Sequence, residues 1–293
     1  MSGPRIITIV ALGLALVACS SDAAPPAAGT AAQTPIPPVV TNDNGCTDSS
    51  AAHPPGSTCV KLVRGQLLDH EDMPVSAPIA VCGGGVLCVG SAADEGIFEV
   101  TVNRFVDLST FVLHVYGHPH HGDMIVRLPS ATASDVTLKM LPRVPRYEST
   151  GGVLPASTAS GTVVRSGPIE LTLAPGTVTD VAPAHVDMRQ LLVGTVRDAA
   201  IWDPDLIALY AVGPFSAQFS PKAAIAITLP AGTKVADGTK LDLVVLEDDL
   251  SQGLGGTLKK VGSATVTGGV ARSVADAGIE RLTWVGVRVP KGG

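Results

Sequence analysis

Turn-forming residues interrupt this chain so often that its apolar residues fall into strand-length runs. Between Cys59 and Leu128 the runs are Val60–Leu68, Val75–Val81, Val86–Gly90, Ile97–Val102, Thr110–Tyr116 and Met124–Leu128, bounded by Gly, Pro, Asp or Asn. Gly, Pro and Asp supply turns, while Val, Ile and Thr suit a pleated, half-buried surface. Val136–Leu141, Ile169–Leu173, Leu206–Val212, Ala223–Leu229, Leu241–Leu246, Thr257–Val266 and Ile279–Val289 continue the pattern, and Val186–Val196 reads as a short helix. With 32 glycines, 23 prolines and only 3% aromatics, the expected fold is all-β. It consists of two small antiparallel β-sandwich domains, and 293 residues are ample for two cores.

The first residues follow a different logic. Arg5 supplies a positive charge, Ile6–Ala18 is apolar but too short to span a bilayer, and small residues precede Cys19. Leu16-Val17-Ala18-Cys19 resembles the lipobox of bacterial lipoproteins. That resemblance implies cleavage before Cys19 and acylation of its thiol and amine, several chains anchoring far more firmly than one. Ser20 and Ser21 follow in place of the Asp associated with inner-membrane retention. The implied location is the cell envelope: the outer membrane in a two-membrane cell, otherwise the outer face of the plasma membrane. Residues 20–45 are Ala, Pro, Thr and Gly with almost no charge, and are expected to form a disordered tether. The expected boundaries are therefore a signal peptide over 1–18, the tether over 19–45, a sandwich over 46–145, a linker over 146–160 and a second sandwich over 161–293.

Removing residues 1–18 takes Arg5 away, so 20 basic residues become 19 against 26 acidic ones, a net charge of −7. This balance, with no basic cluster beyond Lys259-Lys260, excludes nucleic acid as the partner. Cys46, Cys59, Cys82 and Cys88 form an even set in an exported chain and read as disulfides. Of three possible pairings, the local one is expected. Cys82 and Cys88 flank Gly83-Gly84-Gly85 and can meet across a hairpin, and Cys46–Cys59 closes the loop at the domain entry. The spacing lacks the C-x₂-C pairs of a zinc site.

Gly65, Asp69, Pro74, Val75, Ala77, Gly96 and Phe98 occupy the recurring positions of a further pattern. On these residues, 59–128 resembles the carboxypeptidase-regulatory, transthyretin-like β-sandwich, with Met73 and Ala93 departing from the usual glycine and hydroxyl residues. The resemblance implies a non-catalytic accessory module. Leu173-Ala174-Pro175-Gly176, Gly213-Pro214 and Phe219 before the run ending at Pro230 make 160–293 similar to the ZU-type β-sandwich of ankyrins, tight-junction scaffolds and netrin receptors. Some members cut themselves at His-Phe-Ser. Gln218-Phe219-Ser220 lacks the histidine that would activate the serine, so cleavage is not expected.

Candidate chemistry is sparse. His114, His118, His120 and His121 cluster around a turn that ends at Asp123. His118, His120, His121 and Asp123 are the weak candidates for Zn²⁺ or Cu²⁺, while Pro119 and Gly122 account for the turn without metal. Glu247-Asp248-Asp249 is a loop carboxylate cluster without EF-hand spacing. Trp202 and Trp284 are either core residues or sugar-stacking platforms. The glycine turn at 83–85 has no following Lys-Ser/Thr or helix, so it is no phosphate cradle, and no Gly-x-Ser-x-Gly elbow is present. The expectation is a lipid-anchored, non-enzymatic binding or structural module with no catalytic residues and no cofactor. Its partners are the membrane, through Cys19, and an envelope protein or glycan. The alternative is an envelope hydrolase or metal-dependent enzyme with a site between the domains or at the His114–His121 turn.

Overall fold

The computed structural model describes residues 40–41, 46–48, 57–83, 87–128, 135–138, 141–181, 189–248 and 255–291. The signal peptide, Cys19 and the tether up to residue 39 lie outside the described residues, as do Val86 and Asp249. Short strands carry the fold among the described residues, with a 3-10 turn at Ala199–Ile201. No helix among the described residues is long and apolar enough to cross a membrane.

The first part of the chain contains β1 (Val40–Thr41), β2 (Thr47–Asp48), β3 (Thr58–Gln66), β4 (Ala77–Gly83), β5 (Leu87–Ala93), β6 (Ile97–Val106), β7 (Val112–Val115), β8 (Met124–Arg127) and β9 (Asp135–Leu138). A three-stranded sheet, β6-β3-β9, and a four-stranded sheet, β5-β4-β7-β8, share one apolar cluster. Alternation selects the inward residues. Phe98, Val100 and Val102 of β6 are buried, and Ile97, Glu99 and Thr101 face out. Gly96, at φ +77°, makes the β5–β6 turn, where a Cβ would lie 2.6 Å from the Leu67 carbonyl oxygen. The expected local disulfides both form. Cys82 and Cys88 face each other in the β4–β5 register, and Cys46 is joined to Cys59. By loop-closure entropy, replacing Cys46 and Cys59 together by Ser should cost about 3 kcal/mol, and replacing Cys82 and Cys88 about 2.4 kcal/mol. Denaturant unfolding of the two double variants checks this, and a larger loss for the shorter loop would contradict it.

The second part contains β10 (Ser149–Val153), β11 (Thr162–Ser166), β12 (Ile169–Leu173), β13 (Val178–Asp180), β14 (Gln190–Thr195), β15 (Leu206–Gly213), β16 (Gln218–Thr228), β17 (Lys240–Leu246), β18 (Leu258–Thr267), β19 (Val270–Ser273), β20 (Ile279–Arg281) and β21 (Trp284–Arg288). They form one 12-stranded sheet in the order β10-β14-β15-β21-β17-β18-β19-β16-β12-β11, with β13 and β20 also paired to β16. The sheet is nearly closed, like a barrel. Its end strands approach so that Ser149 Oγ and Ser166 Oγ lie 3.1 Å apart and Ser166 Oγ donates to the Ser149 carbonyl at 3.3 Å.

All four residues of β7 are buried, so both of its faces are covered. One faces the core of the first two sheets. The other belongs to a packed junction with Leu209, Ala211, Phe215, Leu246 and Trp284 of the second part. Trp284 is fully buried, and its Nε1–H donates to the Asp123 carbonyl at 2.7 Å.

Four expectations are corrected. Within Val186–Val196, the described residues Gln190–Thr195 are a strand rather than a helix. Leu191 and Val193 alternate inward, and β14 is paired on both sides. The linker 146–160 contains β10, an end strand of the large sheet. Val40 and Thr41, at the end of the expected tether, pair with Asp48 and Thr47. The run Ile279–Val289 is two strands, because the chain leaves β16 at Leu282-Thr283 and continues between β15 and β17.

Candidate functional site

The histidine turn distributes its side chains to separate places. His114 lies on β7, buried, stacked on Tyr116 with ring centroids 4.0 Å apart and tilted against Phe215 at 5.9 Å. Its Nε2 is 3.6 Å from Asp123 Oδ2, too long for a hydrogen bond. The other oxygen of Asp123 accepts the Gly117 N–H at 3.0 Å, so this carboxylate closes the turn. His121 points away, with Nε2 3.6 Å from Asp69 Oδ2. His120 is exposed, and its carbonyl accepts the Tyr147 N–H at 3.0 Å. The Gly122 N–H donates to the Pro145 carbonyl at 2.6 Å, which fixes the turn to the chain entering β10. His118, His120, His121 and Asp123 therefore do not converge, and no three His, Cys, Asp or Glu side chains among the described residues are placed to hold a metal.

The Asp69–His121 contact is the most electrostatically biased point of this region. Burial raises the Asp69 carboxyl pKa. The Glu71 and Met73 amides, bonded to Oδ1 at 2.8 and 3.0 Å, and the nearby His121 ring more than offset this and hold it below 3.8. Burial pushes His121 below 6.5, with Arg146 and His120 adding to the effect and Asp69 opposing it. The site thus favours a carboxylate facing a neutral imidazole.

A cleft of about 730 Å³ lies in the large sheet. Its lining includes Gln218 and Lys222 of β16, Glu247 and Asp248 after β17, Lys259 and Lys260 of β18, and Glu280 and Arg281 of β20. The charges are matched within it. Lys259 Nζ is 3.3 Å from Glu247, Lys222 Nζ is 2.9 Å from Glu280, and Arg281 pairs with Asp248. The bond from Lys222 is the main reason that the Glu280 carboxyl lies below 4.5. Asp248 also accepts the Ser216 hydroxyl at 3.0 Å. A calcium site needs uncompensated carboxylates. Glu247 and Asp248 each already have a cation, and Asp249 lies outside the described residues.

Trp284, fully buried, is a core residue and no sugar platform. Trp202 packs edge-on against it, centroids 4.7 Å apart, beside a second cleft of about 390 Å³ lined by Arg127, Asp203, Arg288 and Lys291. Asp203 is buried there and bonded by Arg288 and Lys291.

Sequence reasoning found Glu247 and Asp248 but neither Glu280 nor the cleft itself. Lys222, Lys259 and Glu280 are too far apart in the chain to form a motif, and strand pairing alone brings them together. The chain matches no protein-family model, and no curated protein matches it.

Proposed function

We propose that this protein is a lipid-anchored module of the cell envelope that binds or holds a protein or glycan and catalyses no reaction. A β-sandwich over 46–145 and a barrel-like β module over 161–293 are carried on the tether. In a two-membrane cell the anchor sits in the outer membrane, otherwise on the outer face of the plasma membrane. The observation that carries this reading is the order Arg5, apolar run, Leu16-Val17-Ala18-Cys19. The non-catalytic part is supported by the pairing of the cleft carboxylates. Glu247, Asp248 and Glu280 each face a cation.

Replacing Cys19 by Ala should abolish incorporation of a fatty-acid probe and leave an unprocessed precursor on gels of membrane fractions. Equal labelling of the variant and the parent chain would refute the anchor.

A further inference from the structure

The larger cleft lies between two strand edges. Strand β18 pairs with β17 along its length, but its pairing with β19 begins only at Ala264. Strand β20 pairs with β16 on one side. Among the described residues no strand occupies the other side of Leu258–Val261 or of Ile279–Arg281. The two edges touch where a Cβ on Gly262 would lie 2.6 Å from the Ala277 Cβ, and the cleft opens beyond that point.

Ladder parity shows where the backbone groups point. The Glu247 N–H donates to the Thr257 carbonyl at 2.7 Å. The Gly256 N–H donates to the Glu247 carbonyl at 3.0 Å. The Thr257 carbonyl and both backbone groups of Lys259 therefore face β17, and those of Leu258 and Lys260 face the opposite side. Past the bulge at Val261 the parity changes, and the Ser263 carbonyl accepts the Val274 N–H at 3.0 Å. On the facing edge, the Leu282 N–H donates to the Ala217 carbonyl at 2.8 Å, so the groups of Arg281 point away from β16, while Ile279 is paired to Ala223. A strand occupies about 160 Å³ per residue, from a rise of ~3.3 Å, a spacing of ~4.8 Å and a thickness of ~10 Å, so 730 Å³ holds roughly four to five residues.

We propose that this cleft takes an extended segment of a partner polypeptide as an added strand, bonded along β18 to Leu258 and Lys260 and, across the cleft, to Arg281. An open strand edge with alternating donors and acceptors, faced by the Arg281 backbone, matches a peptide, which carries donors and acceptors on both of its sides; a glycan has no such alternation. The balanced charges of Lys222, Lys259, Glu247 and Glu280 flank the segment. These surface ion pairs hold weakly enough to exchange partners. The proposal rests on the reading of the protein as a binding module and narrows its partner to a polypeptide.

The test pans a phage library of random linear heptapeptides against the mature full-length chain in detergent. Enriched peptides are expected to lose at least tenfold in affinity when alternate backbone nitrogens are methylated. Lys260→Pro removes the inward-facing amide and should weaken binding by at least tenfold, whereas Lys260→Ala keeps the amide and should retain binding. If the proline variant does not fold, hydrogen exchange on the parent chain decides the question. Peptide should slow the Leu258, Lys260 and Arg281 amides at least tenfold, and slowing elsewhere alone overturns the proposal. It is also overturned if no peptide is enriched or if methylation changes nothing. Concentration-dependent dimers abolished by Lys260→Pro would place a second copy in the cleft and overturn the assignment to a partner. Enriched peptides with no fatty-acid label on Cys19 would leave the cleft assignment standing while the anchor falls. A labelled Cys19 with no enriched peptide does the reverse.

Discussion

Replacing Trp284 by Ala is expected to destabilise the protein by about 3–5 kcal/mol, the usual cost of removing a fully buried indole. Several terms act together. The side chain has no exposed surface and lies where the apolar cluster of the first two sheets meets the large sheet. Truncation leaves a cavity beside Trp202, which loses its edge-on partner at 4.7 Å. It also removes the donor to the buried Asp123 carbonyl. For a body of this size about 2–4 °C of melting temperature is lost per kcal/mol, so the midpoint should fall on the order of 10 °C. Trp284→Phe retains most of the apolar contact but leaves the Asp123 carbonyl without its donor, and should cost about 1–3 kcal/mol. A melting temperature for Trp284→Ala within 2 °C of the parent would mean that the two β parts do not depend on this side chain for their contact.

The strands that bury one face were legible in the sequence, because alternation is written into them. In β6, Phe98, Val100 and Val102 point in and polar residues separate them. The hairpin disulfide was legible for a related reason, since three glycines between Cys82 and Cys88 leave a turn as the economical path. The misses have physical causes. Leu191-Leu192-Val193 is a continuous apolar run, and such a run fits a buried helix as well as a strand paired on both sides. Strand β10 reads Ser-Thr-Gly-Gly-Val, with glycines where a strand usually shows branched residues, and only its pairing with β14 gives it a place. The histidines failed as a metal set because adjacency in a turn does not fix direction. His114 follows its strand into the junction, and His121 faces a carboxylate about fifty residues upstream. The cleft left no local trace, because its two edges are set by where β19 ends and β20 departs along β16.

Asp69 is the second position where one substitution should have a large effect, and the one that gives stability a pH dependence. Its buried carboxylate accepts two backbone N–H groups of its own turn through Oδ1, and its Oδ2 faces His121. Asp69→Ala strands both amides and should cost about 2–4 kcal/mol. Asp69→Asn keeps an acceptor for them and should cost less. The pH response follows from the two depressed pKa values. The folded carboxyl titrates below 3.8, so its contribution is complete above that value and disappears as pH falls through the folded pKa. The folded imidazole titrates below 6.5, so the unfolded chain takes up this proton first. Stability therefore starts to fall as pH drops through 6.5 and stops falling below the folded pKa. Both groups oppose acid, and the first losses arise from His121. His121→Gln should accordingly flatten the unfolding free energy just below pH 6.5. Asp69→Asn should deepen the loss in the same window, because it removes the negative charge that partly lifts the imidazole pKa. Urea unfolding at a series of pH values from 7.5 to about 4.5 measures all three chains. Parallel pH profiles for the parent and His121→Gln would show that this buried pair does not set the acid response.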